Sequence, residues 1–292
     1  MSDLFIEITE NTYQETMTQM TQTPIFIFID GSYFCFYRYY SLLTWWKNAY
    51  PENPLEDPIA NEQFVEKFKK TFTENMKIIP KKIGLDKTDK PIFIVGKDCK
   101  RENIWRNEYF DKYKEHRKNS MEDGFMGGPF FKMAYEENLF INGGAKAILK
   151  HPHLEADDCI ALSVKHILKT IPHAEIYVIT SDKDYLQIAC ERVRLFSLTF
   201  KELTEQKSSH GDAEMDLFCK IVTGDQSDGI PSVFKKCGPK TALKYYNDQE
   251  LFYKKLEEDV EAKKIYERNK KIIDFDEIPK NLVDEFMKTI IR

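Results

Sequence analysis

The chain carries three short, continuously apolar runs, and polar positions dominate the sequence between them. The runs cover residues 24–29, 91–95 and 175–180, and each has the length and composition of a β-strand buried on both faces. In the intervals, residues 61–79 and 157–170 show apolar side chains at helical spacing. Strands that alternate with helices predict an α/β fold, with a mostly parallel, twisted sheet and helices on both of its faces.

Two stretches depart from this alternation and divide the chain. Residues 100–150 begin as a charged sequence rich in aromatic residues and continue with glycines, which predicts an insertion that folds over a site. Beyond residue 221 the sequence becomes polar and helical. We therefore predict an extension over residues 1–22, an α/β core over 23–220 that contains the insertion, and a helical region over 221–292.

Composition narrows the class of protein. A hydrophobic fraction of 42% and an aromatic fraction of 13% are typical of a globular protein. The net charge of −5 does not suggest a nucleic-acid binder, but a cluster of metal-binding acids can mask a basic face elsewhere. The cysteines are scattered, the N-terminus has no signal-peptide pattern, and no apolar run approaches the roughly 20 residues of a membrane helix. We expect an intracellular protein of the cytoplasm or nucleus, with reduced thiols and no membrane partner.

Acidic residues recur where the predicted strands end. A single aspartate in such a place is usually a helix N-cap, but the carboxyl ends of parallel strands meet at one edge of a sheet, where ligands bind. Five separate segments together supply nine carboxylates, namely Asp30, Asp98, Glu155, Asp157, Asp158, Asp182, Asp184, Asp225 and Asp228. If these side chains converge, their mutual repulsion opposes folding unless cations bind among them.

The donor chemistry of this set predicts the ions and the reaction. Oxygen ligands without nearby histidine or cysteine favour Mg²⁺, with Mn²⁺ as a substitute. Two such ions about 3.5–4 Å apart can stabilise the attacking and leaving oxygens of a phosphodiester during hydrolysis. A calcium loop starting at Asp225 would need Gly and Glu where the chain has Ile230 and Lys236. An aspartyl phosphatase would usually have a second Asp where the chain has Ser32.

The order of these motifs resembles that of the flap endonuclease family of 5′-nucleases, whose core is related to PIN domains. The matching segments are residues 28–31 (FIDG), Asp98, residues 113–117 (YKEHR), 154–158 (LEADD), 180–184 (TSDKD) and 224–231 (GDQSDGIP). Each motif alone is weakly specific, whereas the ordered set is highly specific. Residues 271–279 (KIIDFDEIP) are also similar to the phage-type ribonuclease H branch, which suggests a virus-encoded replication or repair enzyme.

The resemblance implies roles for each part of the chain. Residues 23–220 would form a PIN-like nuclease core with an arch or clamp at about 100–150, and residues 221–292 a DNA-binding region with a helix–turn–helix. The nine carboxylates would hold two metal ions, directly or through water, while Lys114 and Arg117 would reach the scissile phosphate. Contacts with DNA are expected from Phe36, Tyr37, Arg106, Tyr113, Lys235, Lys236, Gly238, Lys240 and Thr241.

Some residues depart from the family pattern. Between residues 232 and 242 the family has several glycines, of which only Gly238 is clear in this chain. Glycine permits a close approach of the backbone to phosphate, so its loss argues against a monovalent-ion site there. Side chains of Lys235, Lys236 and Lys240 are expected to contact phosphates instead. Phe36 or Tyr37 would stack on a base.

The leading hypothesis is a structure-specific 5′-nuclease that acts on branched or 5′-flap DNA, as an exonuclease or flap endonuclease. Two alternatives stay open, a non-catalytic DNA-junction binder on the same fold and an RNA-cutting nuclease of PIN type. RNA–DNA hybrids also stay open as substrates. Replication proteins are candidate partners, and we expect a monomer.

Overall fold

All five strands of the central sheet run parallel. In the computed structural model, which describes residues 23–115 and 124–290, the strand order is β3-β2-β1-β4-β5. The strands are β1 (Ile25–Asp30), β2 (Ile92–Gly96), β3 (Ala145–Leu149), β4 (Glu175–Ile179) and β5 (Val193–Phe196). The predicted α/β fold with a parallel sheet is confirmed, and β1 lies at its centre because it is apolar on both faces.

Side chains of β1 alternate between two hydrophobic layers. Phe26 and Phe28 pack into one layer and Ile27 and Ile29 into the other, and none of the four is exposed to solvent. The helices of the first layer are α6 (Ala156–Thr170) and α11 (Lys280–Ile290). The helices of the second layer are α1 (Gly31–Ala49), α2 (Glu62–Lys77), α3 (Ile79–Lys82), α4 (Gly128–Glu136) and α5 (Leu139–Asn142). Helices therefore cover both faces, as predicted.

A separate hydrophobic cluster joins four helices beyond the sheet. These helices are α7 (Ala213–Thr223), α8 (Pro239–Asn247), α9 (Gln249–Glu258) and α10 (Val260–Ile273). Cys219 and Val222 of α7 pack in this cluster with Ala242 and Tyr245 of α8. The predicted C-terminal helical region is present.

The predicted boundaries differ from the structure in three places. The boundary at residues 220 and 221 falls inside α7, whose start at Ala213 opens the helical cluster. Phe286 and Ile290 of α11 pack on the sheet, so the last helix belongs to the α/β core rather than to the helical region. Strand β3 pairs with β2, so the insertion predicted at about 100–150 ends before Ala145. In each case the sequence pattern shows that an element has an apolar face, but it does not show which hydrophobic core that face packs against.

The insertion is described in part. It begins with two short 3₁₀ helices, Arg101–Asn103 and Trp105–Glu108, and continues to residue 115. Residues 116–123 and the predicted extension at residues 1–22 lie outside the described residues, and so does Arg117. Within the described ranges, no helix is long and apolar enough to cross a membrane.

Candidate metal centre

The predicted acids meet in one cavity at the carboxyl ends of the strands. The cavity has a volume of about 860 Å³, and carboxylates from all five acidic segments line it: Asp30, Asp98, Glu155, Asp157, Asp182 and Asp225. The parallel topology explains the convergence, because β1, β2 and β4 all end at this edge of the sheet. Residues separated by nearly two hundred positions in sequence thus share one solvent-filled space.

Asp30 and Asp98 lie on neighbouring strand ends and cap helices. The Asp30 carboxylate accepts a hydrogen bond from the backbone N–H of Tyr33 at 3.0 Å, which begins α1. The Asp98 carboxylate accepts from the backbone N–H of Ala156 at 2.8 Å, at the start of α6, and from the hydroxyl of Ser32. Each carboxylate therefore accepts a backbone hydrogen bond at the start of a helix and also lines the cavity.

Burial and mutual repulsion disfavour the charged forms of these two acids. Burial, followed by the Asp98 carboxylate, raises the pKa of Asp30 to about 7. Burial and then Glu155 also raise the pKa of Asp98. Carboxylates that resist ionisation in this way are stabilised by a bound cation, which favours their charged forms.

The N-cap and the first turn of α6 bring three more acids together. The backbone N–H of Glu155 donates to the Asp158 carboxylate at 3.1 Å, as part of a capping box. Carboxylate oxygens of Glu155, Asp157 and Asp158 lie within 4.8 Å of one another. Burial, followed by Asp158, raises the pKa of Asp157 well above its usual range. Three buried carboxylates so close together need cations beside them.

Arg106 supplies one of these cations from within the protein. Its guanidinium donates to both oxygens of Asp158, at 2.7 and 2.8 Å, and to Glu155 at 2.9 Å. The remaining N–H, at Nε, donates to the carbonyl oxygen of Ile272 at 2.7 Å. Only 2% of Arg106 is exposed, so the DNA contact predicted for Arg106 is wrong. The residue holds the acids behind the cavity.

Asp158 and Tyr113 are both buried. Besides Arg106, the Asp158 carboxylate accepts from the indole N–H of Trp105 at 3.0 Å. These bonds position Asp158 beside Glu155 and Asp157, and its predicted metal ligation stays a prediction. Tyr113 is buried rather than available to DNA, and its hydroxyl donates to Glu155 at 3.0 Å.

Lys114 reaches the cavity, as its predicted catalytic role requires. Its ammonium group contacts Glu155 at 2.7 Å and Asp228 at 3.6 Å, and its backbone N–H donates to the Asp228 carbonyl at 2.9 Å. Although burial raises the pKa of Glu155, Lys114 and Arg106 offset this and lower it to about 2. Lys114 therefore places a positive charge beside the Glu155 carboxylate, which stays ionised.

The second group of acids lies at the end of β4 and after α7. Asp182 accepts from the backbone N–H of Asp184 at 2.9 Å, at the start of a 3₁₀ helix, Lys183–Ile188. Asp225 accepts from the backbone N–H of Ser227 at 2.7 Å. The ammonium group of Lys220 forms ion pairs with both Asp184 and Asp225, the latter at 2.9 Å. The ammonium group of Lys220 thus lies between the carboxylates of Asp184 and Asp225.

Lys220 was not among the residues predicted from sequence. A signal was available, because Lys220 occupies the last turn of the helix that leads into the Gly224–Asp225 motif. Burial raises the pKa of Asp225, but Lys220 and Ser227 more than offset it and lower the pKa to about 2. Lys220 therefore stabilises the ionised carboxylate in the absence of metal.

We expect Lys220→Met to destabilise the metal-free protein by about 2–3 kcal/mol, because two largely buried carboxylates lose their counter-charge. In saturating Mn²⁺ the loss should shrink, since a bound divalent cation neutralises the same acids. Urea unfolding in EDTA and in Mn²⁺ measures both values. Lys165→Met, which removes the ion pair with Asp276 on the surface, is the control. An equal loss in both conditions would show that no cation binds beside Asp184 and Asp225.

The residues predicted to contact DNA fall into two groups. Phe36 is 41% exposed, lines the cavity and packs its ring against Phe131 at a centroid distance of 4.6 Å. Tyr37 is half-buried and lies next to it along α1. The second group lies just before α8 and in its first turn, where Lys235, Lys236 and Lys240 are exposed and Gly238 and Thr241 are half-buried. These positions are accessible to a nucleic acid.

The loop between α7 and α8 keeps one feature that suits a close approach of its backbone to phosphate. Gly238 is the N-cap of α8, and a side chain added at this position would meet nothing within 4 Å. Lys236 has a φ of 59°, in the left-handed region that favours glycine. The backbone thus takes a glycine-like turn at Lys236 although the glycine is absent.

The residues of the cavity fit a pair of divalent cations. The donors are carboxylate oxygens, and the raised pKa values of Asp30, Asp98 and Asp157 show that Lys114 and Lys220 do not neutralise the whole cluster. Hard ions with oxygen ligands match this donor set. The chemistry available at such a centre is the hydrolysis of a phosphate ester.

Two known proteins are similar to this chain in sequence. Ribonuclease H of Enterobacteria phage T4 is 26% identical over 211 residues, which are 65% of this chain and 66% of that protein. DNA polymerase I of Treponema pallidum is 34% identical over 104 residues, 32% of this chain and 10% of the polymerase. The chain thus aligns with less than two thirds of the length of either relative.

Solved structures of a bacteriophage T5 protein share the fold. The T5 flap endonuclease, in a pseudo-enzyme–product complex with DNA and metal ions, gives a TM-score of 0.63 at 18% identity. The match covers 91% of this chain and 97% of that chain. The structure of the T5 protein co-crystallised with metal ions gives a TM-score of 0.62 at 17% identity, and the match covers 91% of this chain and 98% of that chain.

The sequence also matches the N-terminal resolvase-like domain of 5′-3′ exonucleases over residues 25–217. This span contains β1 to β5 and four of the five acidic segments. Because the match extends over more than half of the chain, the chain belongs to the 5′-3′ exonuclease family.

Proposed function

We propose that this protein is a divalent-metal-dependent 5′-nuclease that hydrolyses phosphodiester bonds in flapped, branched or 5′-ended DNA. The observation that carries the proposal is the convergence of carboxylates from five segments in one cavity, with Lys114 among them. Such a cluster is costly to fold without cations, and two hard cations are the ions its donors select. We propose Mg²⁺ as the physiological ion, with Mn²⁺ able to replace it.

The carboxylates fall into two groups that would hold the ions. Asp30, Asp98, Glu155 and Asp157 would hold one, and Asp182, Asp184 and Asp225 the other, with Asp228 beside it. When bound, the ions supply Lewis-acid stabilisation of the charge that develops on the phosphate and activate water for attack. Lys114 adds a fixed positive charge on the cavity wall, which stabilises the same developing charge.

The shape and charge of the molecule favour DNA as the substrate. The exposed lysines between α7 and α8 offer phosphate contacts outside the cavity, and Phe36 offers a ring for a base at its wall. The related T5 structure is a complex of a flap endonuclease with DNA and metal ions. We propose that this chain binds the duplex through the region between α7 and α8 and presents the 5′ strand to the acids.

The decisive experiment compares three labelled substrates in Mg²⁺ and in EDTA: 5′-flap DNA, nicked duplex, and a 5′-RNA primer on DNA. Cutting of the flap in Mg²⁺ that stops in EDTA supports the proposal. A substrate that is bound but uncut would instead favour a DNA-junction binder, and faster cutting of the RNA primer would favour a nuclease for RNA or RNA–DNA hybrids.

We also propose that the protein acts inside the cell in DNA replication or repair. The matched relatives include DNA polymerase I and a phage ribonuclease H, which supports this setting. The monomeric state and contacts with replication proteins stay predictions. Sedimentation of the purified protein tests the first of them.

A further inference from the structure

Four basic side chains of the described residues line the cavity, and they differ in what balances their charge. Lys114 and Lys220 form ion pairs with carboxylates of the cavity. Lys183 is exposed, so water solvates its ammonium group. Arg101 is half-buried, and within the part of the chain that the structure describes it forms no ion pair. Arg101 thus brings a positive charge to the cavity wall without a carboxylate to balance it.

The guanidinium group of Arg101 also lacks a hydrogen-bond partner. Its Nη2 atom is buried from solvent and, among residues 23–115 and 124–290, makes no hydrogen bond. A guanidinium group is always charged in proteins, and an N–H of a charged group that reaches neither water nor an acceptor is unfavourable. An anion that enters the cavity can recover this free energy when the guanidinium group turns toward it.

The backbone of Arg101 is fixed relative to the acids. Arg101 begins the first 3₁₀ helix of the insertion. Before it, the backbone N–H of Cys99 donates to the carbonyl oxygen of Leu154 at 3.2 Å. After it, the backbone N–H of Trp105 donates to the carbonyl oxygen of His153 at 3.2 Å. Both acceptors directly precede the N-cap of α6, so the segment that carries Arg101 is tied to the element that carries the three neighbouring acids.

The anion that fits Arg101 is a phosphate group of the DNA strand. The carboxylates of the cavity are already present and leave Arg101 unpaired, so the missing acceptor comes from outside the protein. A planar guanidinium group matches two oxygens of a phosphate. The cavity volume of about 860 Å³ is near the upper end of the roughly 300–1,000 Å³ of pockets for drug-sized molecules, so there is room for more of the strand than one phosphate.

We infer that Arg101 is a substrate-binding residue, whose guanidinium group binds a phosphate of the cut strand next to the one that is hydrolysed. The inference rests on the proposed function. Lys114 and the metal ions act on the hydrolysed phosphate, whereas Arg101 holds its neighbour and fixes the register of the strand. A contact of this kind is the same in the bound substrate and in the transition state, so its loss raises KM and leaves kcat nearly unchanged.

The test is Arg101→Met in the full-length protein, with 5′-flap DNA in Mg²⁺. KM should rise about tenfold or more, the scale expected for losing a hydrogen bond between charged groups, while kcat stays nearly unchanged. Thermal unfolding in EDTA should show an unchanged or higher Tm, because the variant no longer buries an unpaired N–H. Arg192→Met is the matched control, since it removes the same charge just before β5, at the opposite end of the sheet from the cavity, and its KM should not change.

A series of flap substrates identifies the phosphate. In each substrate, one phosphate beside the cut site is replaced by an uncharged methylphosphonate. With the unaltered protein, one of these substrates should raise KM about as much as Arg101→Met does, because the same contact is lost. With the Arg101→Met protein, that substrate should have no further effect, since two changes that remove one contact do not add.

The other outcomes separate the inference from the proposed function. If the Arg101→Met protein and the unaltered protein have the same KM, the inference is overturned and the proposed function stands. Equal effects of every methylphosphonate on both proteins would also overturn it, because Arg101 would then contact no single phosphate. A Tm below that of the unaltered protein would do the same, since the rise in KM would then come from packing. Absence of cutting by the unaltered protein would remove the proposed function and the inference with it.

Discussion

Replacing Asp30 by Asn should abolish metal-dependent cutting while making the metal-free protein more stable. The substitution removes a carboxylate that we propose holds a metal ion, and a loss of about 4 kcal/mol of transition-state stabilisation corresponds to about 10³-fold in kcat. Asparagine is an equally good N-cap, so the bond to Tyr33 and the start of α1 are kept. The fold gains because a buried charge next to Asp98, with a pKa raised to about 7, is no longer present.

Two assays on one protein preparation measure this pair of effects. Cleavage of 5′-flap DNA in Mg²⁺ reports the loss of activity, and urea unfolding in EDTA at neutral pH reports the gain in stability. The control is Asp212→Asn, because Asp212 caps α7 with a bond to Met215 in an exposed setting. Retained cutting by the Asp30→Asn protein would contradict the assignment of Asp30 as a metal ligand. A loss of stability would contradict the argument from repulsion.

The largest effect on stability is expected from Arg106→Met. The variant leaves Asp158, which is fully buried, and Glu155 without their strongest donor. Breaking a buried ion pair by removing one partner typically costs about 3–5 kcal/mol, because the other charge remains buried. Urea unfolding in EDTA measures the change. Cutting should also fall, since Arg106 helps to hold Glu155 at the cavity.

Two further variants show whether the burial of the Arg106 ion pairs causes the expected loss of stability. Arg194→Met breaks an ion pair with Glu202 in which the arginine side chain is 46% exposed, and pairs of this kind contribute at most about 1 kcal/mol. A double variant, Arg106→Met with Asp158→Leu, should recover part of the loss because both charges are removed. Similar losses for Arg106→Met and Arg194→Met would refute the argument.

The sequence was sufficient to predict three of the five strands, β1, β2 and β4, and the acids at the edge of the sheet, whereas β3 and β5 were not predicted. Apolar runs that end in Asp30 and before Asp98 and Asp182 define strands whose carboxyl ends must meet if the strands are parallel. The convergence of the five segments follows from topology, and the structure confirms that they line one cavity. The ordered motifs therefore indicate both the fold and the acidic residues that line the cavity.

Whether a charged side chain is buried or exposed could not be predicted in the same way. Arg106 lies in a stretch rich in lysine and tyrosine, where the local pattern is that of a surface that binds nucleic acid. Its burial depends on Asp158 and on Ile272, which are 52 and 166 residues away in sequence. A local pattern contains no information about such distant partners. The same reason explains why α11 was assigned to the wrong core.

The bonds that residues 272–275 make to Arg106 and Gln187 have a consequence for biosynthesis. A ribosome adds this segment after all five acidic segments, so both side chains lack these partners while the acids are being synthesised. The arrangement that orders the acids is therefore completed only after the acids themselves have been made.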